Sequence, residues 1–151
     1  MTATVDFATV ANSIAALSIT DVTVQDTHEI TDTIGLDTHI LAPNPAGFIS
    51  ELSISYDELS QQKCRLEYTL NYRYYHCKLA GGLGGLFATY SGLVTTAANI
   101  LLAFASDVTL TGAMNNTTPV ISDIGPVTDP AGNGYHGFDV SIHILQFLEV
   151  G

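Results

Sequence analysis

The sequence predicts an α+β fold: one antiparallel β-sheet with a long β-hairpin, and helices packed on one face. Three observations predict it. Residues 63–78, KCRLEYTLNYRYYHCK, alternate between two faces over 14 residues, far beyond the usual strand of about five or six. Residues 86–104 repeat apolar side chains at helical spacing. The order of elements reads α, (β), loop, ββ hairpin, α, β, β, which groups strands into neighbouring pairs. With 151 residues, a hydrophobic fraction of 46%, no internal repeat and no linker, the chain reads as a single domain, 1–151, able to bury a core.

The elements follow in order. Phe7, Val10, Ala11, Ile14 and Leu17 fall at spacings of three and four, which predicts a short amphipathic helix with Thr4 or Asp6 near its start. Thr20–Val24 alternates and predicts a short strand. Residues 25–47 read as an irregular loop holding Asp26, Glu29, Asp32 and Asp37 and no cation, closed by Pro43, Pro45 and Gly47. Phe48, Leu52, Ile54 and Tyr56 alternate with Ile49, Glu51, Ser53 and Ser55 as the first hairpin strand, and Asp57–Gln62 forms its turn. The second strand places Cys64, Leu66, Tyr68, Leu70, Tyr72 and Tyr74 on one face. Arg65, Glu67, Thr69, Asn71, Arg73, Tyr75 and Cys77 lie on the other.

After AGGLGG, the helical stripe comprises Leu86, Tyr90, Leu93, Val94, Ala97, Ile100, Leu101 and Phe104. Thr89, Gly92, Thr96, Asn99 and Ala103 form the opposite face, small and uncharged. A water-backed helix carries Lys and Glu there, so this face is expected to meet a neighbouring subunit. A strand at 120–127 and a turn TDPAGNG lead to the last strand. Phe138, Val140, Ile142, Ile144, Leu148 and Val150 line one of its faces. Leu145 and Phe147 on the other argue for a central or covered position.

Only 13% of residues are charged, below the usual quarter, which favours a surface partly covered in an assembly. The net charge is −11, and all four cations, Lys63, Arg65, Arg73 and Lys78, lie in residues 63–78. No basic face exists elsewhere, which excludes duplex-DNA recognition as the main role. An acidic wall past which DNA slides is compatible with that charge. Ten Asp against five Glu, with 18 Thr, is the bias of high-salt proteins. Cys64 and Cys77 on one strand stand roughly 40 Å apart, beyond the reach of a mutual disulfide. No secretory signal opens the chain. Leu79–Ser106 is uncharged and long enough to span a bilayer, but its glycines and hydroxyl residues favour a packed helix.

No catalytic constellation emerges. AGGLGG lacks the GK[ST] of a phosphate loop and the third glycine of a dinucleotide fingerprint. In HEITD, Asp32 stands where a zinc helix needs its second histidine. Asp26, Glu29 and Asp32 lack EF-hand spacing. Ser91-Gly92 lacks the first glycine of a nucleophile elbow. Asn115 and Asn116 fit the short N-x-T pattern, which common loop asparagines also fit.

The amphipathic N-terminal helix, the Pro-containing loop, the hairpin ending LEYTLNYRYY, the helix LFATYSGLVTTAANILLAFA and the closing GYHGFDVSIHILQFLEV together resemble the tail-terminator, or tail-completion, proteins of long-tailed viruses of bacteria and archaea. The resemblance is architectural, covers most of the chain and is weakest at 25–47. It implies a non-enzymatic virion subunit without a cofactor, assembled in the host cytoplasm. Such a subunit forms a homo-oligomeric ring, expected to be a hexamer. The ring caps the tail tube protein, meets the neck or head-completion proteins, and lets DNA pass without sequence-specific binding. On that reading Lys63, Arg65, Arg73, Lys78, Thr96 and Asn99 form the subunit interface, and Asp26, Glu29, Asp32 and Asp37 an acidic lumen. Pairing of the cations with Glu51, Glu58 and Glu67 inside the hairpin is the local alternative. Another neck or tail component, or a soluble module binding a ligand or metal through the acidic loop, are the rival functions.

Overall fold

A 16-residue strand is the spine of the fold. The computed structural model describes residues 5, 7–25, 39–56, 63–79, 85–110 and 116–149. Its elements are α1 (Phe7–Ala15), β1 (Thr23–Val24), β2 (Ile40–Pro43), β3 (Ile49–Tyr56), β4 (Lys63–Lys78), α2 (Gly85–Ser106), β5 (Asn116–Thr128) and β6 (Gly134–Glu149). They form an α+β unit with one six-stranded sheet, ordered β1-β2-β4-β6-β5, with β3 also on β4. All pairings are antiparallel except that of β1 with β2.

On one side β4 runs against β6 from Lys63↔Glu149 to Lys78↔Tyr135. Its other side is divided: β3 takes Cys64–Leu70 and β2 takes Tyr72–Tyr75. Asn71 sits at the changeover. Its amide donates to Phe48 O at 2.8 Å, and its carbonyl accepts from Asn44 N at 3.0 Å. Its side-chain Nδ2 donates to Gly47 O at 2.9 Å and Ser50 Oγ at 3.1 Å, while Oδ1 accepts from Ser141 Oγ at 3.0 Å. One asparagine thus satisfies the turn between β2 and β3 as well as the central ladder.

The reading of 25–47 as wholly irregular is corrected here. ILAP forms β2, with Leu41 and Ala42 buried. Four residues ending in proline carry too little periodicity to stand out, and it is β4 that supplies the partner groups. The hairpin is as expected, with a bulge between Ser50 and Ser53 in which Glu51 adopts φ 58°. The last strand is central, lying between β4 and β5.

The core lies on one face of this sheet. Leu66, Tyr68, Leu70, Tyr72 and Tyr74 of β4 and Phe138, Val140, Ile142 and Ile144 of β6 meet Val10 and Ile14 of α1 and Leu93, Ala97, Ile100 and Phe104 of α2. Each buried Val, Leu, Ile or Phe among them contributes about 1.5–3 kcal/mol through burial. Gln146 interrupts the apolar series of β6, and its Oε1 accepts from the Tyr68 hydroxyl at 3.3 Å.

The predicted stripe of α2 is only half right. Leu93, Ala97, Ile100 and Phe104 are buried as expected, but so are Thr89 and Thr96, while Leu86, Val94 and Leu101 face outward. The helix is turned so that hydroxyl residues meet the tyrosine-rich sheet. Thr89 Oγ1 donates back to Gly85 O at 3.0 Å, and Thr96 is buried on the same side of the helix. A buried threonine with its hydroxyl satisfied costs little.

A second, smaller cluster covers one end of the outer sheet face: Ala42, Tyr75, Val127 and Tyr135, with Ile40 against them. The Tyr75 and Tyr135 rings meet edge to face with centroids 5.2 Å apart. Gly137 makes this crowding possible, because a Cβ there would fall 1.9 Å from the Tyr74 carbonyl oxygen.

Candidate interaction surface

The four cations share β4 but not one role. Lys63 starts the strand, in register with Glu149. Arg65 is exposed, its guanidinium carbon 6.0 Å from the centroid of the Phe147 ring across the ladder. Arg73 is committed within the chain: Nε donates to Asp139 Oδ1 at 2.7 Å, Nη2 to Oδ2 at 3.4 Å, and Nη1 to Thr128 O at 3.0 Å. That hydrogen bond to Asp139 raises the guanidinium pKa above its ordinary value. Arg73, expected at the subunit interface, is held within the chain by the carboxylate directly opposite on β6. The hairpin alternative fails for it equally, since Asp139 lies outside the hairpin. Glu67 approaches His143 Nε2 at 3.8 Å. Lys78 is exposed at the far end. A register shift between Tyr75 and Cys77 makes His76 the extra residue, so Lys78 falls opposite Tyr135 rather than in the phase that strict alternation predicts.

Thr96 is 6% exposed and packed on its own sheet, and Asn99 is half-buried. An interface through Thr96 is corrected by that burial. The outward side of α2 is instead apolar: Phe87 is 90% exposed, Leu86 70%, Leu102 63% and Val94 59%. Phe87, Val94 and Leu101 recur at a spacing of seven with the exposed Ser91 and Ala98 between them. That second stripe was present in the sequence as a 3-4 repeat, hidden because the buried threonines look polar and the exposed leucines look like core. By length and hydropathy α2 meets the criteria for a bilayer-crossing helix. Its Leu93–Ile100–Phe104 side is nevertheless occupied by the sheet.

The sheet edges extend this uncovered area. Residues 49–55 of β3 are all exposed. Ile49 and Ile54 pair with Leu70 and Leu66, so they continue the core face past its cover. Among the described residues, β3 and β5 each pair on one side only, and β5 exposes Val120 and Ile124. Unpaired strand edges beside apolar side chains are sites where another chain adds on. Asp26, Glu29, Asp32 and Asp37, the residues of the expected acidic lumen, lie outside the described residues, as does Glu58.

A polar group is buried where β4 meets α2. The Tyr74 hydroxyl lies 2.9 Å from His76 Nδ1 and 3.4 Å from His39 Nδ1, and the two imidazole centroids are 4.6 Å apart. Burial pushes the Tyr74 hydroxyl up to about 12 and lowers the His76 pKa below the ordinary imidazole value. His136 stacks edge-on against Tyr90 of α2 with centroids 5.8 Å apart. Among the described residues no three His, Cys, Asp or Glu side chains converge to hold a metal ion. Burial also raises the Cys77 thiol pKa, the reverse of what activates a nucleophile. Comparison with protein-family models and with curated proteins finds no match to the chain.

Proposed function

We propose that the chain is a structural virion protein of a long-tailed virus, a tail terminator that assembles into a ring, caps the tail tube and joins it to the neck proteins. The observation that carries this reading is the outward face of α2. Phe87, Leu86, Val94 and Leu102 stand uncovered on a 22-residue helix without a single charge. Monomers rarely leave such contiguous apolar area to water, and it marks an interaction site. Ring contacts are heterologous, so this face requires a different patch on the next subunit. The β3 arm with Ile49, Leu52 and Ile54 has the matching apolar character. Arg65 and Lys78 then set register against the acidic remainder, a matter of specificity more than affinity.

DNA passing through such a ring needs no recognition surface. The net charge of −11 keeps it mobile, and no cofactor enters the role. Location in the virion follows from the same reading, with a high-salt host as the setting in which so acidic a chain packs against copies of itself. Another neck or tail component, a stopper or a tube subunit, would use the same surfaces.

Size-exclusion chromatography with light scattering tests the proposal, followed by electron microscopy of the associated fraction. Closed rings of about six subunits are expected. A protein that stays monomeric across concentration and salt, with or without tube protein, overturns it.

A further inference from the structure

We propose that the His39–Tyr74–His76 cluster is an acid-sensitive latch holding α2 against the sheet. The groups come from separate elements. Tyr74 and the bulged His76 belong to β4, and His39 directly precedes β2. Gly92 and the buried Thr96 belong to α2. A Cβ added at Gly92 would stand 3.1 Å from His76 Nε2, so the imidazole presses on the helix backbone. One hydroxyl thus joins two imidazoles, and the His76 ring carries the contact on to the helix.

Among the described residues, little stands ready to stabilise a cation there. On β4 the flanking groups are Tyr74, Cys77 and Lys78; on β6, His136, whose buried Nδ1 has no hydrogen-bond partner among the described residues. From α2 come Tyr90, Gly92 and Thr96, and the helix carries no charged residue. Among the described residues, Asp21, in the turn before β1, is the carboxylate whose field reaches Tyr74. In the tautomer whose Nδ1 accepts from the Tyr74 hydroxyl, protonation of His76 removes that acceptor. It also sets a positive charge 4.6 Å from the His39 ring and against the helix backbone. Burial, then His39 and His136, depress the His76 pKa.

The sign follows from linkage. The unfolded chain takes up this proton more readily than the folded one. Stability is therefore complete above the ordinary imidazole value of about 6.5 and falls as pH drops through it toward the lower folded value. The whole-molecule charge acts in the opposite direction, because acidification reduces the net −11 and its self-repulsion. The latch and the global charge therefore predict opposite slopes.

The test is carried out on the full chain. Urea midpoints and amide hydrogen exchange of α2, corrected for intrinsic rates, are measured between about pH 8 and pH 5.5, above the range where carboxylates titrate. The wild type should lose stability on acidification, with exchange of residues 89–99 rising several-fold. His76→Gln should flatten that slope, and His143→Gln, on the outer face, should leave it intact. NMR titration of the wild-type imidazoles supplies a readout that needs no variant, and His76 should titrate below the ordinary value. An unchanged or rising midpoint on acidification overturns the latch, as does a slope equal in wild type and His76→Gln, or a His76 that titrates at or above the ordinary value. At one protein concentration, ring formation is common to wild type and His76→Gln, so the contrast between them reads the latch and not the assembly.

Discussion

Arg73 and Asp139 face each other across the β4–β6 ladder, with Nε 2.7 Å from Oδ1 and side-chain exposures of 24% and 25%. A half-buried two-point pair with a third bond to Thr128 O is a fold contact. Arg73→Ala is expected to lower unfolding free energy by about 1–2 kcal/mol, the worth of partly screened hydrogen bonds to a charged group. Arg65→Ala, at an exposed position, should stay within about 0.5 kcal/mol. Urea unfolding of both variants checks the contrast; equal effects would return Arg73 to the list of intersubunit candidates.

The two sides of α2 should respond oppositely to the same change. Phe87→Asp places a charge where the side chain is already 90% exposed, so stability should move by no more than about 0.5 kcal/mol. Self-association, read by light scattering, should drop sharply. Thr96→Asp buries an unpaired carboxylate and should unfold the helix–sheet contact before any effect on assembly is measurable. Association that survives Phe87→Asp together with Leu102→Asp would remove the outward α2 face from the interface.

Salt should promote assembly. Subunits of net charge −11 repel one another, and the Debye length shrinks from about 10 Å at 0.1 M to about 3 Å at 1 M. Apolar contacts are left intact by that screening, so the associated fraction should rise with salt at fixed protein concentration. Sedimentation across a salt series measures it. A falling fraction would point to an interface dominated by Arg65 and Lys78 pairs.

Gly137→Ala should be among the most damaging single-methyl changes in the chain. The added Cβ would meet the Tyr74 carbonyl oxygen and Val127 Cγ2, at 1.9 and 3.0 Å. Backbone in the centre of the sheet cannot retreat, so a loss of about 3 kcal/mol or more is expected. Gly132→Ala, in the turn at φ 89° with open space around it, should cost only about 1 kcal/mol in backbone strain. Thermal unfolding of the two variants should rank them in that order.

Much of the architecture can be read along the chain. The alternation from Cys64 to Tyr74 predicts the buried face of β4 residue by residue, because side chains on a strand have no choice but to alternate. Phe138, Val140, Ile142 and Ile144 read the same way, and the apolar Leu145 and Phe147 rightly mark β6 as central. α2 shows where such reading stops. Its apolar residues encircle too much of the helix for composition to say which arc faces inward, and the folded chain turns Thr89 and Thr96 toward the sheet.

The amino-acid order alone settled periodicity, hence the element types, the long hairpin and the gathering of every cation on one strand. Contacts between residues far apart in the chain settled the rest: β2 as a strand, Arg73 paired with Asp139, and the His39–His76 approach. Periodicity is a local property of the backbone. Partner choice depends on which distant groups the closed sheet brings within hydrogen-bond reach, and no window of sequence contains that information.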